Sequence, residues 1–286
     1  MISSVKNRHP NRMSAERKRP RHREKAIVLF IDVLGSQNSL KDGNIYDEYI
    51  QNLVAFSETV RQEYPGYIVK AFSDNVIIFR ELDDDRDVAR ESVTGMLSLT
   101  AQLQYETLTR FGLLLRGGIC IGAMDWTDSS DSGDFVTGRG LIEAYELESK
   151  NAVYPRIMAD SSIEEYLDAD SRGPLVSEGN RYYVDYLKAT VTGEIGDSPD
   201  IRMLSFHEKA ITKHIAKDNE TIVLTGREWD EIRSKDAWVL AYHNKFCRRY
   251  EGYAMPISFT ESLVERNGKD RLEITAGIKE SEIDVF

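Results

Sequence analysis

Ala26-Ile-Val-Leu-Phe-Ile-Asp32-Val-Leu-Gly35-Ser36 begins with six apolar residues in a row and stops at a carboxylate. A run with no polar alternation reads as a central strand covered on both faces, and Gly35 marks where it turns into whatever follows. Helical spacing comes next: Ile45, Tyr49, Leu53, Phe56 and Val60 recur at intervals of three or four until Tyr64-Pro65-Gly66 stops the pattern. Tyr67-Ile-Val-Lys70-Ala-Phe-Ser-Asp74-Asn75-Val-Ile-Ile-Phe79 then reads as a hairpin, with Ser73-Asp74-Asn75 as its tight turn. Acidic residues 81–87 lead into an amphipathic helix over about 88–111, and Leu113-Leu-Leu-Arg116-Gly117-Gly118-Ile-Cys-Ile-Gly122 is a further strand.

The order is therefore strand, helix, strand, strand, helix, strand. It is the α+β, ferredoxin-like βαββαβ arrangement, in which the third strand lies between the first and second and runs antiparallel to both. That topology brings the end of the first strand, with Asp32, beside the hairpin that carries Asp74. Two carboxylates a few ångströms apart repel unless cations separate them, so Asp32 and Asp74 predict a site for two divalent ions, Mn²⁺ or Mg²⁺. Either aspartate alone is an ordinary turn or cap residue; it is the pair, in this topology, that carries the reading. Amides of Val33, Leu34, Gly35, Ser36 and Gln37, at the start of the following helix, suit a polyphosphate.

Charge is unevenly spread. Residues 1–25 hold nine Lys or Arg against Glu16 and Glu24, a balance of +7; with −11 overall, the rest carries −18. The basic stretch reads as a disordered arm, and the acidic body argues against nucleic-acid binding by the folded part. With 41% hydrophobic residues, strand-length apolar runs and no apolar segment behind the N-terminal charges, neither a transmembrane span nor a secretory signal is expected, and the protein reads as cytoplasmic. Cys120 and Cys247 read as reduced structural thiols.

Further on, Asp134–Thr137 suggests a strand, 138–140 a turn, Leu141–Glu148 the start of a helix and Tyr154–Ala159 another short strand, with 125–133 as a hairpin loop. Residues 175–191 read as β, and 203–217 and 227–251 as amphipathic helices. Trp238, Tyr242, Phe246 and Tyr250 on the last of these are assigned to packing, and neither His207 nor His214 has the spacing of a metal ligand.

Taken together, these segments resemble the class III nucleotide cyclases, and among them the pyrimidine cyclases of bacterial antiphage Pycsar systems. The resemblance rests on Phe30-Ile-Asp32-Val-Leu-Gly35, Phe72-Ser-Asp74-Asn75, Leu115-Arg116-Gly117-Gly118-Ile119 with Gly122, Gly140–Glu148, Pro155-Arg156-Ile157 and Tyr242–Phe246. It implies the class III cyclase form of the fold, with additional strands and C-terminal helices. The implied division is a disordered arm 1–25, a catalytic domain 26–200, a helical extension 201–252 packed on the domain or a dimer interface, and a partly ordered tail 253–286. Asp32, Asp74 and the Val33 carbonyl would bind the two metals, and the amides of residues 34 to 37 would hold the phosphates. The ribose 3′-hydroxyl would then attack the α-phosphorus and release pyrophosphate.

Lys70 stands where purine cyclases of the family place a base-reading Lys. Ile142 and Glu146 stand where adenylate and guanylate cyclases carry an Asn and a transition-state Arg. That departure leaves Arg116, Arg139 and Arg156 as candidate cations for the phosphates, with Arg116 first. The resemblance implies a homodimer with composite active sites that makes cyclic UMP from UTP, and a separate effector that responds to the product. A cytidylate cyclase making cCMP, a purine cyclase and a catalytically weak nucleotide-binding pseudo-cyclase are the alternatives.

Overall fold

The computed structural model describes residues 24–34, 51, 54–55, 57–72, 75–127, 135–169, 171–192, 199–221, 226–250, 257–266 and 269–277, with side chains described outside 217–231 and 258–277. Asp74, Gly35, Ser36, Gln37 and the basic arm up to residue 23 lie outside the described residues.

The aliphatic run forms β1 (Glu24–Val33), which has Ile27, Val28 and Leu29 wholly buried. Each such burial is worth about 1.5–3 kcal/mol, and this requires cover on both faces. Helical backbone over 57–63 precedes β2 (Ile68–Phe72), which pairs with β3 (Asn75–Glu81). Next come α1 (Arg86–Phe111) and β4 (Leu115–Trp126). The Asp85 side chain accepts from the amides of Asp87 and Val88 at the start of α1, and Gly112, at a φ of 66°, closes it by donating to the Leu108 carbonyl.

The strands lie in the order β2-β3-β1-β4, antiparallel throughout, so β3 sits between β1 and β2 as the ferredoxin-like order requires. Beyond β4 the sheet continues through β6 (Ile157–Ala159), β8 (Arg181–Val184) and β7 (Leu175–Glu178); short β5 (Val136–Thr137) folds back on β4. The expected strand at 134–137 is thus found as Val136–Thr137; Asp125 and Trp126, expected in the loop, belong to β4, and residues 128–134 lie outside the described residues.

Period-two alternation splits the core. Ile27, Leu29 and Ile31 join Val93, Met96 and Leu97 of α1 on one face. Val28 and Phe30 join Ala144 and Leu147 of α2 (Arg139–Asn151) on the other.

The C-terminal part departs from expectation in two places. Residues 186–191, read as β, form the helix α3 (Tyr186–Val191), because Asp185 accepts from the Lys188 amide and Tyr186, Leu187 and Val191 are buried at helical spacing. After α4 (Ile201–Thr221) and α5 (Gly226–Arg248), the segment expected as a tail carries a hairpin of β9 (Ser258–Arg266) and β10 (Lys269–Gly277). The aromatic stripe on α5 is packing, as expected. Trp238 stacks on Tyr242 with centroids 5.2 Å apart, and Phe246 is buried. Both cysteines are buried free thiols.

Where α3, α4 and α5 meet, a polar chain is sealed from solvent. His207 Nδ1 lies 2.9 Å from His243 Nδ1, His207 Nε2 lies 2.7 Å from the Tyr186 hydroxyl, and His243 Nε2 lies 3.4 Å from Cys247 Sγ. One neutral assignment serves all three contacts: Tyr186 donates to His207, His207 to His243, and His243 to the thiol.

Burial holds both imidazoles below the usual histidine range, His243 at about 4. The unfolded chain therefore binds two protons that the folded one refuses, and stability should fall as pH drops below about 6.5. The expected loss is about 2 kcal/mol per histidine by pH 5. Urea melts from pH 7 to 5 measure it. A double variant, His207→Phe with His243→Phe, should flatten that slope whatever its own stability, and an unchanged slope would show that the pair is not its source.

Candidate functional site

Asp32, one residue from the end of β1, is paired in register with Asn75 on β3 and Arg116 on β4, and Asn75 is paired with Phe72 on β2. Phe72, Asn75, Asp32 and Arg116 thus form one row across four strands. They stand on the α2 face, because Phe30 and Cys120, two and four residues away along their strands, belong to the core on that side. Asp74 immediately precedes Asn75 in sequence. The next row inward is Lys70, Ile77, Phe30 and Gly118, so Lys70 lies on the same face on the edge strand, one pleat from the Asp32 row.

The Arg116 guanidinium grips Asp32 twice. Nε donates to Oδ2 at 2.8 Å and Nη2 lies 2.7 Å from the same oxygen. A second carboxylate approaches from the helix: Glu148 Oε1 is 2.7 Å from Arg116 Nε. That contact is ionic rather than a hydrogen bond, since Oε1 has no hydrogen-bond partner and the Nε–H points to Asp32. Glu148 is 3% exposed. Burial pushes its carboxyl above the usual carboxylate range, Arg116 opposes that shift and Asp32 adds to it.

Glycine brings α2 this close. A Cβ at Gly118 would lie 2.2 Å from the Ala144 carbonyl oxygen, and one at Gly122 would lie 2.5 Å from the Gly140 Cα. The Arg-Gly-Gly strand therefore lets a helix rest backbone to backbone on β4.

The remaining expected site residues are dispersed. Arg139 is exposed at the start of α2 and paired with Glu143 at 2.6 Å. Its neighbour Gly140 touches Gly122, which is paired with Ala26, six residues from Asp32 or roughly 20 Å along β1. Arg139 is therefore at the far end of the sheet from Asp32 of its own chain. Arg156 is nearer, its carbonyl accepting from the Gly117 amide at 3.2 Å. Its guanidinium is drawn the other way, lying against Tyr154 and Tyr183 and paired with Glu178 at 2.7 Å. The Leu34 amide donates to the Leu114 carbonyl at 2.9 Å, extending the ladder past Val33, so it is not offered to a phosphate in this conformation. Val33 packs its side chain in the α1-side core, so its carbonyl alone is the group in question. Glu146 is paired with Lys150 at 3.0 Å, and Ile142 is exposed.

No group of three or more His, Cys, Asp or Glu able to hold a metal ion occurs among the described residues. Asp32 nevertheless behaves as a cation-binding group, because a guanidinium already bridges its carboxylate and that of Glu148. Carboxylate oxygens in this setting suit a hard ion such as Mg²⁺ or Mn²⁺. Glu148 was not foreseen as a site residue. Its signal is a carboxylate on the buried stripe of α2, one turn beyond Ala144.

No protein-family model matches the chain, and no curated protein does. Solved structures similar to it include the adenylyl cyclase CyaB from P. aeruginosa, at 18% identity and a TM-score of 0.43 over 57% of this chain and 94% of that one. Others are the dimeric guanylyl cyclase domain of the RhoGC fusion protein from Blastocladiella emersonii (14%, TM-score 0.43, 57% and 94%) and adenylate cyclases from Trypanosoma brucei in their monomeric state (13%, TM-score 0.40, 62% and 92%). By its own strand order the chain is an α+β protein with a ferredoxin-like core extended by further strands and C-terminal helices. No helix among the described residues is long and apolar enough to cross a membrane.

Proposed function

We propose that the protein is a nucleotide cyclase that converts UTP to 3′,5′-cyclic UMP and pyrophosphate. It would act as a cytoplasmic homodimer with composite sites and make a second messenger for a separate effector in antiphage defence. The supporting observation is the row Asn75–Asp32–Arg116 at the end of the central strand, next in sequence to Asp74. Substrate and biological setting rest on the resemblance of the motifs around Asp32, Asp74 and Arg116 to the Pycsar pyrimidine cyclases.

In this reading Asp32, Asp74 and the Val33 carbonyl hold two divalent cations, which lend Lewis acidity to the reacting hydroxyl and the phosphate oxygens when bound. Gly35, Ser36 and Gln37 offer amides to the phosphates, and Lys70 faces the base. Arg116 answers the charge that grows on the phosphorus, a role that needs a pre-placed cation in a partly buried site. It stands 31% exposed, already at the aspartate. Arg139 and Arg156 drop out of the site within one chain, for the reasons of distance and pairing given above.

Incubation with each of the four NTPs and Mn²⁺ is expected to give cyclic UMP as the main product. A preference for CTP would make it a cytidylate cyclase, and one for ATP or GTP would overturn the pyrimidine assignment. Asp74→Ala should abolish pyrophosphate release, and survival of release would remove the two-metal mechanism. One observation favours the pseudo-cyclase as second reading. Arg116 is held by two carboxylates, while Ile142 and Glu146 supply neither of the groups expected at their positions. Nucleotide binding without turnover of any NTP would establish it.

A further inference from the structure

Arg116 has two anionic partners for one guanidinium, and they are unequal. Asp32, 15% exposed, takes the hydrogen bonds; Glu148, 3% exposed, is held by charge alone. A carboxylate buried to that degree persists only beside a cation, and among the described residues Arg116 is the cation within ion-pair distance of it. The close approach of α2 to β4 at Gly118 and Gly122 seats the helix that carries Glu148 directly on the strand that carries Arg116.

We infer that Glu148 is a positioning residue that receives Arg116 when a divalent cation takes Asp32. The inference rests on the proposal that Asp32 is a metal ligand. A divalent ion held by the Asp32 carboxylate would repel the guanidinium that Asp32 now holds. In a site with one carboxylate the arginine would be expelled or would exclude the metal. With Glu148 behind it, Arg116 gives up Asp32 and keeps a counterion 2.7 Å away. It stays at the site with its outer nitrogens turned to the incoming phosphates. The cluster is a two-position holder: Arg116 neutralises Asp32 before the ion arrives and serves the phosphates afterwards.

The test is direct Mn²⁺ binding to the full chain without nucleotide, followed by calorimetry or by the EPR signal of the free ion, with thermal melts as a check on folding. Glu148→Gln keeps the shape and removes the charge, leaving Arg116 committed to Asp32. Mn²⁺ affinity should fall about tenfold, the scale seen when groups behind metal ligands are lost. Arg116→Met removes the competitor and should raise affinity. The decisive arm is Glu148→Gln in the Arg116→Met background, where a residue that acts through Arg116 has no further effect on affinity.

A tenfold loss in both backgrounds would mean that Glu148 acts only through its general negative field, and would overturn the inference. So would unchanged Mn²⁺ affinity in the single variant. If Glu148→Gln does not fold, Glu148→Asp lengthens the contact by a methylene and should weaken Mn²⁺ binding only when Arg116 is present. A wild-type protein whose Mn²⁺ binding is unaltered by Asp32→Asn would instead remove the metal reading, and this inference with it. The two failures are therefore distinguishable.

Discussion

On the proposed two-metal reading, Asp32→Asn is expected to lower turnover by about two to three orders of magnitude, because the metal ions would contribute several kcal/mol at the transition state and each 1.36 kcal/mol is tenfold in rate. The fold should hardly notice. Asparagine has the same shape, its amide oxygen still accepts from Arg116, and Arg116 keeps the Glu148 carboxylate beside it. The backbone pairing of residue 32 with Asn75 and Arg116 does not depend on the side chain.

A contrasting variant separates the two effects. Asp85→Ala removes the side chain that accepts from two amides at the start of α1 and should cost about 1 kcal/mol of stability. It should leave turnover untouched at temperatures where the protein is folded. Pyrophosphate release and melting temperature measured on both variants check the pair. Turnover in Asp32→Asn within tenfold of wild type would mean that the carboxylate at the end of β1 is not part of the chemistry.

How far the sequence could be read depended on whether the signal was local. β1 was plain because a run with no polar alternation reads as a strand covered on both faces, and α1 was plain as an amphipathic run over about 88–111, although its Asp85 cap and Gly112 close were not read. The α3 helix was missed because it is one and a half turns long. Its evidence is a single aspartate cap inside a stretch rich in β-branched and aromatic residues.

The C-terminal hairpin was missed for the opposite reason. Its pattern is charged and weak, although Arg266 and Lys269, paired in register, are separated in sequence by Asn-Gly, a dipeptide that signals a hairpin. In the site, the ion pair of Asp32 with Arg116 was not foreseen, although the strand position of each was legible. Glu148 was not, since nothing in a helix pattern says which strand residue lies beneath it. The same holds for the buried His207–His243 pair, 36 residues apart in the chain and joined only by packing. Short spacing from a motif says nothing about which end of a strand a helix starts from, or which neighbour captures a guanidinium, so the sequence could not place Arg139 and Arg156 relative to Asp32 of the same chain.

Gly118→Val is expected to be the most damaging single change away from the reacting groups. A Cβ at that position would lie 2.2 Å from the Ala144 carbonyl oxygen and 2.6 Å from the Leu147 Cβ. The first of these is backbone, in the middle of a 13-residue helix, and cannot rotate aside. Relief requires α2 to move off β4. That opens the core made by Val28, Phe30, Cys120, Ala144 and Leu147, and draws Glu148 away from Arg116.

Overpacking of this kind costs typically 1–3 kcal/mol, and with backbone as the obstacle the upper figure, about 3 kcal/mol, is expected. For a chain of this size that is a fall in melting temperature of roughly 10 °C. Gly112→Ala gives the reference. It strains a left-handed position but meets nothing within 4 Å, so it should cost about 1 kcal/mol and leave the site alone. The distinguishing result is turnover measured well below both melting points, which should fall in Gly118→Val and hold in Gly112→Ala. Moving α2 separates the carboxylate from the arginine, whereas loosening the end of α1 does not. A Gly118→Val protein that melts within about 2 °C of wild type, less than 1 kcal/mol on the same scale, would show that α2 does not rest on β4 as closely as the glycines allow.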